Sequence, residues 1–357
     1  MTQRVLHQFT EIALVGDAIS DQVFLIRKWL RDLGFESHIY TLHADKALEN
    51  EVRLASNYYP TANETHVIYH HAVGADIVPL VLGSNLRIIL IYHNITPPEF
   101  ISYISASFAK QLTRGREQLH QLLPQADLVL GDSAYNEQEL AGRHNAISGV
   151  LPIVLDPNRY NTPSNPQLVQ DLSHTSPNLL FVGRLFPNKR QEDLIKLLYF
   201  LRRIHPNAKL HLVGSEASTA YTRWLRELLT IFDLDNAVNI TGHVSFQDMV
   251  TYFRTADFYV SMSEHEGFGK PLIESMYFGL PILAYASSAV PDTLGKTGIL
   301  FHQKSFEAIA ELCDWLLGNP DLYETLIAQQ RQRLQAFLEP NVKIQWVAYL
   351  KQLNLLP

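Results

Sequence analysis

Short apolar runs rich in Val, Ile and Tyr alternate along the chain with stretches whose apolar residues recur at the 3.6-residue period of a helix. This alternation predicts parallel sheets covered by helices, and it occurs in two successive series. The predicted strands are residues 5–9, 36–41, 67–69, 87–92 and 128–130 in the first series, and 179–182, 209–213, 238–240, 258–261 and 281–284 in the second. The pattern therefore predicts an α/β protein of two domains.

The segment between the two series has the composition of a linker. Its four prolines lie among Asn and Ser and are Pro157, Pro163, Pro166 and Pro177. We therefore expect a first domain over 1–156, a linker over 157–177 and a second domain over 178–338. Within 339–357, Ile344, Val347 and Leu350 share one face of a predicted helix, so this helix is expected to pack on another element.

Composition narrows the class of protein. With 357 residues, of which 46% are hydrophobic and 18% charged, the chain is long enough for two separate cores. No apolar run is long enough for a membrane-spanning helix, and the first residues lack the pattern of a signal peptide. The single cysteine, Cys313, lies in an apolar helical pattern, which predicts a buried thiol. These features favour a cytoplasmic location.

The charge distribution argues against one class of partner and leaves two interpretations of the basic helices open. A net charge of −7 argues against nucleic-acid binding. Two predicted helices of the first half nevertheless carry clustered cations, which are Arg27, Lys28 and Arg31 on one and Lys110, Arg114 and Arg116 on the other. Such clusters fit either solvated helix faces or peripheral docking on the anionic inner face of a membrane.

Residues 263–274, SEHEGFGKPLIE, follow a predicted strand and carry the most informative chemistry. Gly267 and Gly269 permit a tight turn with close backbone approach to a ligand, and Pro271 suits the first turn of a helix. A helix that starts at the carboxyl end of a parallel strand presents free N–H groups to an anion, here expected to be a diphosphate. Glu266 and Glu274 would then hold different parts of one extended ligand.

The two glutamates in the setting EHEGFGKPLIE resemble the hallmark of family 4 of the retaining glycosyltransferases. The segment FVGRLFPNKR at 181–190 is similar to the family's GRL…K loop, and GLP at 279–281 is similar to its turn before a strand. Residues 211–214 and 242–245 also fall at the family's usual places. In the first half, the segments 16–19, 93–97 and 151–156 are similar to its acceptor-domain loops. The resemblance spans nearly the whole chain and is strongest over 179–300.

The resemblance implies the GT-B architecture, in which two Rossmann-like domains with parallel sheets face each other across a cleft and the C-terminal helix crosses back to the first. It implies that Arg184 and Lys189 grip the donor diphosphate in place of a metal, where two cations would stabilise the charge of the leaving group. Glu266 would hold sugar hydroxyls and Glu274 the ribose. The other positions implied on the donor side are Gly183, Gly242, His243, Val244, Gly267, Phe268 and Gly269. Surface cations and an ordinary helix carboxylate remain the alternative interpretations.

On the first domain the resemblance points to His93, Gly16 and Asp17. His93 follows an apolar strand and precedes Thr96 and two prolines, so it is expected at the carboxyl end of that strand. The resemblance makes it the histidine near the reacting face of the sugar, and a structural histidine is the alternative. Gly16 and Asp17 would contact the acceptor, although Asp17 fits equally well as a helix cap.

Some positions depart from the family pattern or imitate another one. Gly16-Asp17 replaces a double glycine that many members have, Ser287-Ser288 replaces a second glycine pair, and Asp292 stands where Glu is common. Residues 233–235 match the D-x-D pattern of a metal site, but their place at a helix end favours a solvated turn. The histidines, among them the pair His70 and His71, lack metal-ligand spacing, so no metal is predicted.

The resulting hypothesis is a retaining transfer of a hexose from a sugar nucleotide to a saccharide or lipid-linked saccharide, without metal or cofactor. A donor of the GDP-mannose or UDP-glucose type is expected, from overall likeness to enzymes of bacterial polysaccharide biosynthesis that include mannosyltransferases. Two alternatives stay open. One is another enzyme of the same fold, a sugar-nucleotide epimerase or a sugar phosphorylase, and the other is a non-catalytic partner subunit of a transferase.

Overall fold

The computed structural model describes residues 4–357, which divide into two compact units. The first unit consists of the chain up to Val154 together with Glu339–Pro357, and the second is Leu155–Leu338. The first three residues of the predicted domain 1–156 lie outside the described part. In each unit the strands of the main sheet pair in parallel, because helices connect strands that run in the same direction.

A sheet of seven strands forms the centre of the first unit, in the order β5-β4-β2-β6-β7-β8-β9. A short strand β1, Arg4–Val5, pairs separately with β3, Phe35–Glu36. The strands of the sheet are β2 His7–Ala13, β4 Ile39–Ala44, β5 Arg53–Leu54, β6 His66–His71, β7 Arg87–Tyr92, β8 Ala126–Gly131 and β9 Ile147–Val150. The strands β6 and β7 are buried over nearly their whole length, as expected for the centre of a sheet covered on both faces.

The helices of the first unit are α1 Ala18–Asp32, α2 Val78–Gly83, α3 Ala106–Leu122, α4 Ala134–Leu140 and, at the end of the chain, α13 Glu339–Gln352. The last of these packs into the core of the first unit. Val342, Trp346 and Leu350 are fully buried there against Trp29 and Leu30 of α1. Burial of three large apolar side chains contributes several kcal/mol, on the order of 1.5–3 each, and fixes the final helix to this unit.

The second unit is built on a sheet of six strands in the order β12-β11-β10-β13-β14-β15. Its strands are β10 Asn178–Val182, β11 Lys209–Val213, β12 Val238–Gly242, β13 Phe258–Ser261, β14 Ile282–Tyr285 and β15 Ile299–Phe301. Its helices are α5 Pro166–Leu172, α6 Gln191–Ile204, α7 Thr219–Ile231, α8 Phe246–Thr255, α9 Lys270–Phe278, α10 Val290–Leu294, α11 Phe306–Leu317 and α12 Pro320–Leu334. The chain order changes direction between β10 and β13, and parallel α/β sheets bind ligands at the carboxyl ends of strands beside such a reversal.

The predicted linker over 157–177 is wrong. This segment belongs to the second unit and contains α5, which begins at Pro166 after the capping residue Asn165. The side chain of Asn165 also donates to Asp248 of α8 at 2.8 Å, so the segment is held in place. The prolines of the segment suggest a loop, but Pro166 occupies the first turn of a helix, where the missing N–H has no cost.

Candidate functional site

Two loops of the second unit, those that follow β10 and β13, are joined directly. The backbone N–H of Glu264 donates to the carbonyl of Asn188 at 2.8 Å, and the side chain of Asn188 donates to the carbonyl of His265 at 3.0 Å. Asn188 is buried, so these bonds satisfy polar groups that water does not reach. The fold therefore brings the GRL…K segment and the EHEGFG segment together at one edge of the sheet. Asn188 itself was not singled out from the sequence.

A cation and a carboxylate from these loops form an ion pair. Nζ of Lys189 lies 2.6 Å from Oε2 of Glu266, and the two side chains are 20% and 15% exposed. Both groups therefore remain accessible to a ligand, and the structure brings these two predicted residues together. Opening the pair requires a new partner for each charge, because a mostly buried ion that loses its partner destabilises the protein.

The N-terminus of α9 lies beside this pair. The helix begins at Lys270, as predicted, after Gly269 with φ +84°, a conformation that favours glycine. Glu274 is about one turn into the helix and is buried, and its Oε1 accepts a hydrogen bond from Tyr160 at 2.6 Å. The predicted contact of Glu274 with a ribose stays a prediction, since one oxygen of the carboxylate already has a protein donor.

The ends of β10, β11 and β12 are also in close contact. The N–H of Gly183 donates to Val213, and the N–H of Gly214 donates to Gly242 at 3.1 Å. A Cβ at Gly214, which has φ +148°, would lie 2.1 Å from the carbonyl oxygen of Gly183, so only glycine permits this approach. After β12, His243 is exposed and Val244 is half-buried. Their roles toward a nucleotide remain predictions.

Arg184 is the accessible cation of this edge. Its side chain is exposed, and it forms no ion pair within residues 4–357. Its carbonyl accepts a hydrogen bond from the side chain of Gln191 at 3.0 Å, which fixes the backbone at the start of the loop. The exposed guanidinium of Arg184 is available to a phosphate.

A loop between β14 and α10 supports Glu266 from the other side. The N–H of Glu266 donates to Oγ of Ser288 at 2.7 Å, and the N–H of Ala289 donates to the carbonyl of Glu266 at 3.2 Å. Ser288 has φ +44°, which is uncommon for a residue with a side chain. Sequence reasoning noted Ser288 only as a departure from a glycine pair. No local signal in the sequence assigns this role, because the partner of Ser288 comes from another loop.

Next to the site, Arg190, Glu264 and Lys304 form a network. Arg190 and Lys304 both contact the Glu264 carboxylate, at 2.6 and 2.9 Å. Burial opposes ionisation of Arg190, but Glu264 and Glu192 outweigh it and raise its pKa. Burial likewise works against ionised Glu264, yet Arg190 and Lys304 lower its pKa. The Glu264 carboxylate is therefore paired with Arg190 and Lys304, whereas Lys189 pairs with Glu266.

In the first unit, His93 lies at the end of β7, as predicted, within a buried chain of polar groups. Its Nδ1 is 2.8 Å from Oδ2 of Asp132, and its Nε2 is 3.0 Å from Nδ1 of His70. The Nε2 of His70 is in turn 3.0 Å from Oε1 of Gln8. Both ring nitrogens of His93 thus have protein partners, and its side chain is only 1% exposed.

The direction of these hydrogen bonds follows from Gln8. Its amide N donates to the carbonyl of Val23 at 3.0 Å, so its Oε1 is an acceptor and Nε2 of His70 must carry a proton. Burial, and then the proximity of His93, lower the pKa of His70 well below its usual value, so this ring is neutral and its Nδ1 accepts from His93. His93 therefore donates through Nε2, its Nδ1 contacts Asp132, and burial raises the pKa of Asp132. A direct contact of His93 with a sugar stays a prediction.

His71 and Asp17 have structural partners. Asp17 caps α1, because its Oδ2 accepts from the N–H of Ser20 at 3.0 Å. Nε2 of His71 lies 2.8 Å from the carbonyl of Gly115, which gives this buried histidine a structural partner. An acceptor contact by Gly16 or Asp17 remains a prediction. Cys313 is buried as predicted, and burial raises the pKa of its thiol to about 12.

The basic clusters of the first unit, which the sequence left open as a membrane-docking surface, mostly have partners within the protein. Five of the six clustered cations are engaged within the unit: Arg27 with Glu51, Lys28 with Glu339, Arg31 with the carbonyl of Ser37, Arg114 with Asp76 and Arg116 with Glu139. Within residues 4–357, no helix has the length and apolar character of a membrane span. In the same range, no three His, Cys, Asp or Glu side chains gather as metal ligands would. Asp235 accepts from Thr230 at 3.1 Å in the turn after α7.

Comparisons of sequence identify relatives. Residues 168–333 match the family described as Glycosyl transferases group 1. An uncharacterized glycosyltransferase of Haemophilus influenzae is 33% identical over 148 residues, which are 41% of this chain and 40% of that protein. A GDP-mannose-dependent monoacylated alpha-(1-6)-phosphatidylinositol monomannoside mannosyltransferase of Corynebacterium glutamicum is 26% identical over 242 residues, 63% of this chain and 62% of that protein. The chain thus spans less than two thirds of the length of these relatives.

Comparison of structures covers the whole chain. The crystal structure of HepE from Anabaena in complex with UDP and glucose aligns with 98% of this chain and 100% of its own, with a TM-score of 0.75 and 16% identity. The sucrose-phosphate synthase of Thermosynechococcus elongatus aligns equally well, with a TM-score of 0.75 and 18% identity. The chain therefore has the GT-B fold of two Rossmann-like domains, and its residues 168–333 are similar to the glycosyl transferases group 1 family.

Proposed function

We propose that the chain is a retaining hexosyltransferase that uses a sugar nucleotide of the GDP-mannose or UDP-glucose type and needs no metal. The observation that carries the proposal is the contact of Lys189 with Glu266 beside the start of α9. We assign the cation to a phosphate of the donor and the carboxylate to the hydroxyls of its sugar. The mannosyltransferase named above is GDP-mannose-dependent, and HepE binds UDP and glucose, which supports this choice of donors.

In the proposed reaction the acceptor is a hydroxyl of a saccharide or a lipid-linked saccharide. Its oxygen forms a bond to the anomeric carbon on the face from which the diphosphate leaves, and the bond from that carbon to the diphosphate oxygen breaks. The proton of the hydroxyl passes to the leaving diphosphate. Arg184 and Lys189 offset the negative charge that grows on the diphosphate, and such contacts are stronger in the transition state than in the ground state.

Binding of the donor would exchange the partners of the ion pair. The ammonium of Lys189 then pairs with a phosphate oxygen, and sugar hydroxyls donate hydrogen bonds to the carboxylate of Glu266. Neither charge is therefore left without a partner. The N–H groups of Gly267 and Phe268 lie in the same loop and are proposed to hold the sugar. Ser288 keeps the Glu266 backbone in the orientation that this exchange requires.

A thermal-shift screen of sugar nucleotides tests the proposal, because a ligand that binds the folded state raises the melting temperature. We expect GDP-mannose or UDP-glucose to stabilise the native chain and not the Lys189→Ala variant. The stabilising donor is then incubated with saccharide acceptors, and the anomeric configuration of the product is determined by NMR. Equal stabilisation of both proteins, or no response to any sugar nucleotide, would refute the proposed site. Incubation of the donor without an acceptor distinguishes a transferase from an epimerase, which would form an epimer of the donor. Activity measured in EDTA tests whether the reaction needs a metal.

A further inference from the structure

A cavity of about 280 Å³ in the first unit lies between α1, the start of β4 and β5. Three arginines reach it from these elements, Arg27 and Arg31 from the second half of α1 and Arg53 from β5. The complete lining is Arg27, Arg31, His38, Ile39, Asn50, Glu51, Val52 and Arg53. Part of the basic cluster noted in the sequence is therefore not simply a solvated helix face.

The charges around this cavity do not balance. Glu51 is the only carboxylate in the lining, and it pairs with Arg27 at 2.6 Å. Arg31 donates to the carbonyl of Ser37 at 2.9 Å and Arg53 to the hydroxyl of Tyr40 at 3.3 Å, and neither forms an ion pair within residues 4–357. Neither guanidinium therefore has a carboxylate in direct contact, although the charge of Glu51 also acts on Arg31.

The positive charges around the cavity also oppose the ionisation of their basic neighbours. Burial and then the nearby charge of Arg27 lower the pKa of Arg31. Burial and then Arg53 lower the pKa of His38. Holding these like charges close together costs free energy. The negative charge of a bound anion would offset that cost.

The cavity is separate from the candidate acceptor residues. His38 immediately precedes β4, so the cavity is at the amino ends of the strands, whereas Asp17 and His93 follow the carboxyl ends of β2 and β7. Parallel strands place these two sets of residues at opposite edges of the sheet. A ligand in the cavity would therefore not be the sugar or the acceptor hydroxyl.

We propose that this cavity binds a phosphate-type oxyanion, either inorganic phosphate or the phosphomonoester group of a larger molecule. Planar guanidinium groups offer paired N–H donors that match the oxygens of phosphate. The volume is sufficient for a phosphate and part of whatever is attached to it. Glu51 competes with the anion for Arg27, which gives the site a distinctive test.

The test uses the full chain with Arg184→Ala and Lys189→Ala, so that phosphate cannot bind at the proposed donor site. Isothermal titration with inorganic phosphate is carried out at constant ionic strength. We expect Arg31→Gln with Arg53→Gln to weaken phosphate binding at least tenfold, and Glu51→Gln to strengthen it several-fold. Lys28→Gln is the matched control, because Lys28 is on the same helix, 60% exposed and outside the cavity. It should change the affinity less than twofold.

Vesicles distinguish a free phosphate from a lipid headgroup. Co-sedimentation with phosphatidic acid vesicles that is lost in the Arg31/Arg53 variant would assign the site to a headgroup, while soluble phosphate binding without co-sedimentation would assign it to free phosphate. The proposal is overturned if neither probe binds, or if the cavity variant and the Lys28→Gln control bind alike. Circular dichroism melting shows whether each variant is folded, and Arg53→Gln alone serves if the double variant is not. Failure of the proposed transferase function would appear separately, as absence of a response to sugar nucleotides.

Discussion

Lys189 and Glu266 come from different loops of the second unit, yet their charged atoms are 2.6 Å apart. This contact depends on the joined backbones of the two loops, since Asn188 bonds to both residues that precede Glu266. The distance between the two charged atoms therefore depends on the correct position of both loops. Disturbing either loop should affect both the cation and the carboxylate.

Replacing either phosphate-binding cation should reduce turnover strongly. We expect Lys189→Ala and Arg184→Ala each to lower kcat by about 10²-fold or more, because each removes a charge contact to the leaving diphosphate. Steady-state kinetics with the donor from the screen measures this. Arg203→Ala is the control, since Arg203 is an exposed cation of α6 that belongs to no part of the site. Near-normal rates in both site variants would exclude the diphosphate role.

Ser288→Ala should weaken donor binding more than it slows chemistry. The substitution removes the acceptor for the Glu266 N–H and leaves the carboxylate itself in place. A lost hydrogen bond of about 0.5–1.5 kcal/mol corresponds to a rise in KM of roughly two- to tenfold. Ser288→Gly suits the positive φ but also lacks the hydroxyl, so it should show the same defect. A normal KM in both variants would mean that the hydroxyl does not position Glu266.

Tyr160→Phe should destabilise the second unit. Tyr160 and Glu274 are both buried, and loss of the hydroxyl leaves the carboxylate without that donor, at a cost of about 1–3 kcal/mol. Urea unfolding followed by tryptophan fluorescence measures the loss. Tyr277→Phe is a matched control, because that hydroxyl is half-buried and donates to the carbonyl of Pro157 at 3.3 Å. The control should lose less stability, and equal losses would contradict the assigned bond.

Local patterns predict the elements but not the contacts between them. The start of α9 at Lys270 follows from Gly269 and Pro271, which act within one turn. By contrast, the strands β5, β9 and β15 were not predicted, because each is only two to four residues long. Asn188 and Ser288 could not be assigned to the site from the sequence, since their partners come from other loops. The helix α5 could have been found, because Asn165 before Pro166 is a common helix start.

Histidines buried in the neutral form should make the protein less stable in mild acid. Burial lowers the pKa of His71 to about 4, although a bond to the Gly115 carbonyl opposes this. In the unfolded chain the pKa is about 6.5. Above pH 6.5 neither state takes up the proton and the contribution to stability is complete. As the pH falls from 6.5 to 4, only the unfolded state is protonated, so the free energy of unfolding decreases by about 1.4 kcal/mol per pH unit for this residue.

His71→Gln should reduce this dependence on pH, because glutamine keeps an N–H donor for Gly115 and has no proton to gain. Urea unfolding at several values between pH 6.5 and 4.5 gives the slope of stability against pH for the native chain and the variant. We expect the variant's slope to be lower by about 1.4 kcal/mol per pH unit. His174→Gln, which replaces an exposed histidine, is the matched control for the substitution itself. Parallel curves for the native chain and His71→Gln would show that His71 is not held neutral by the fold.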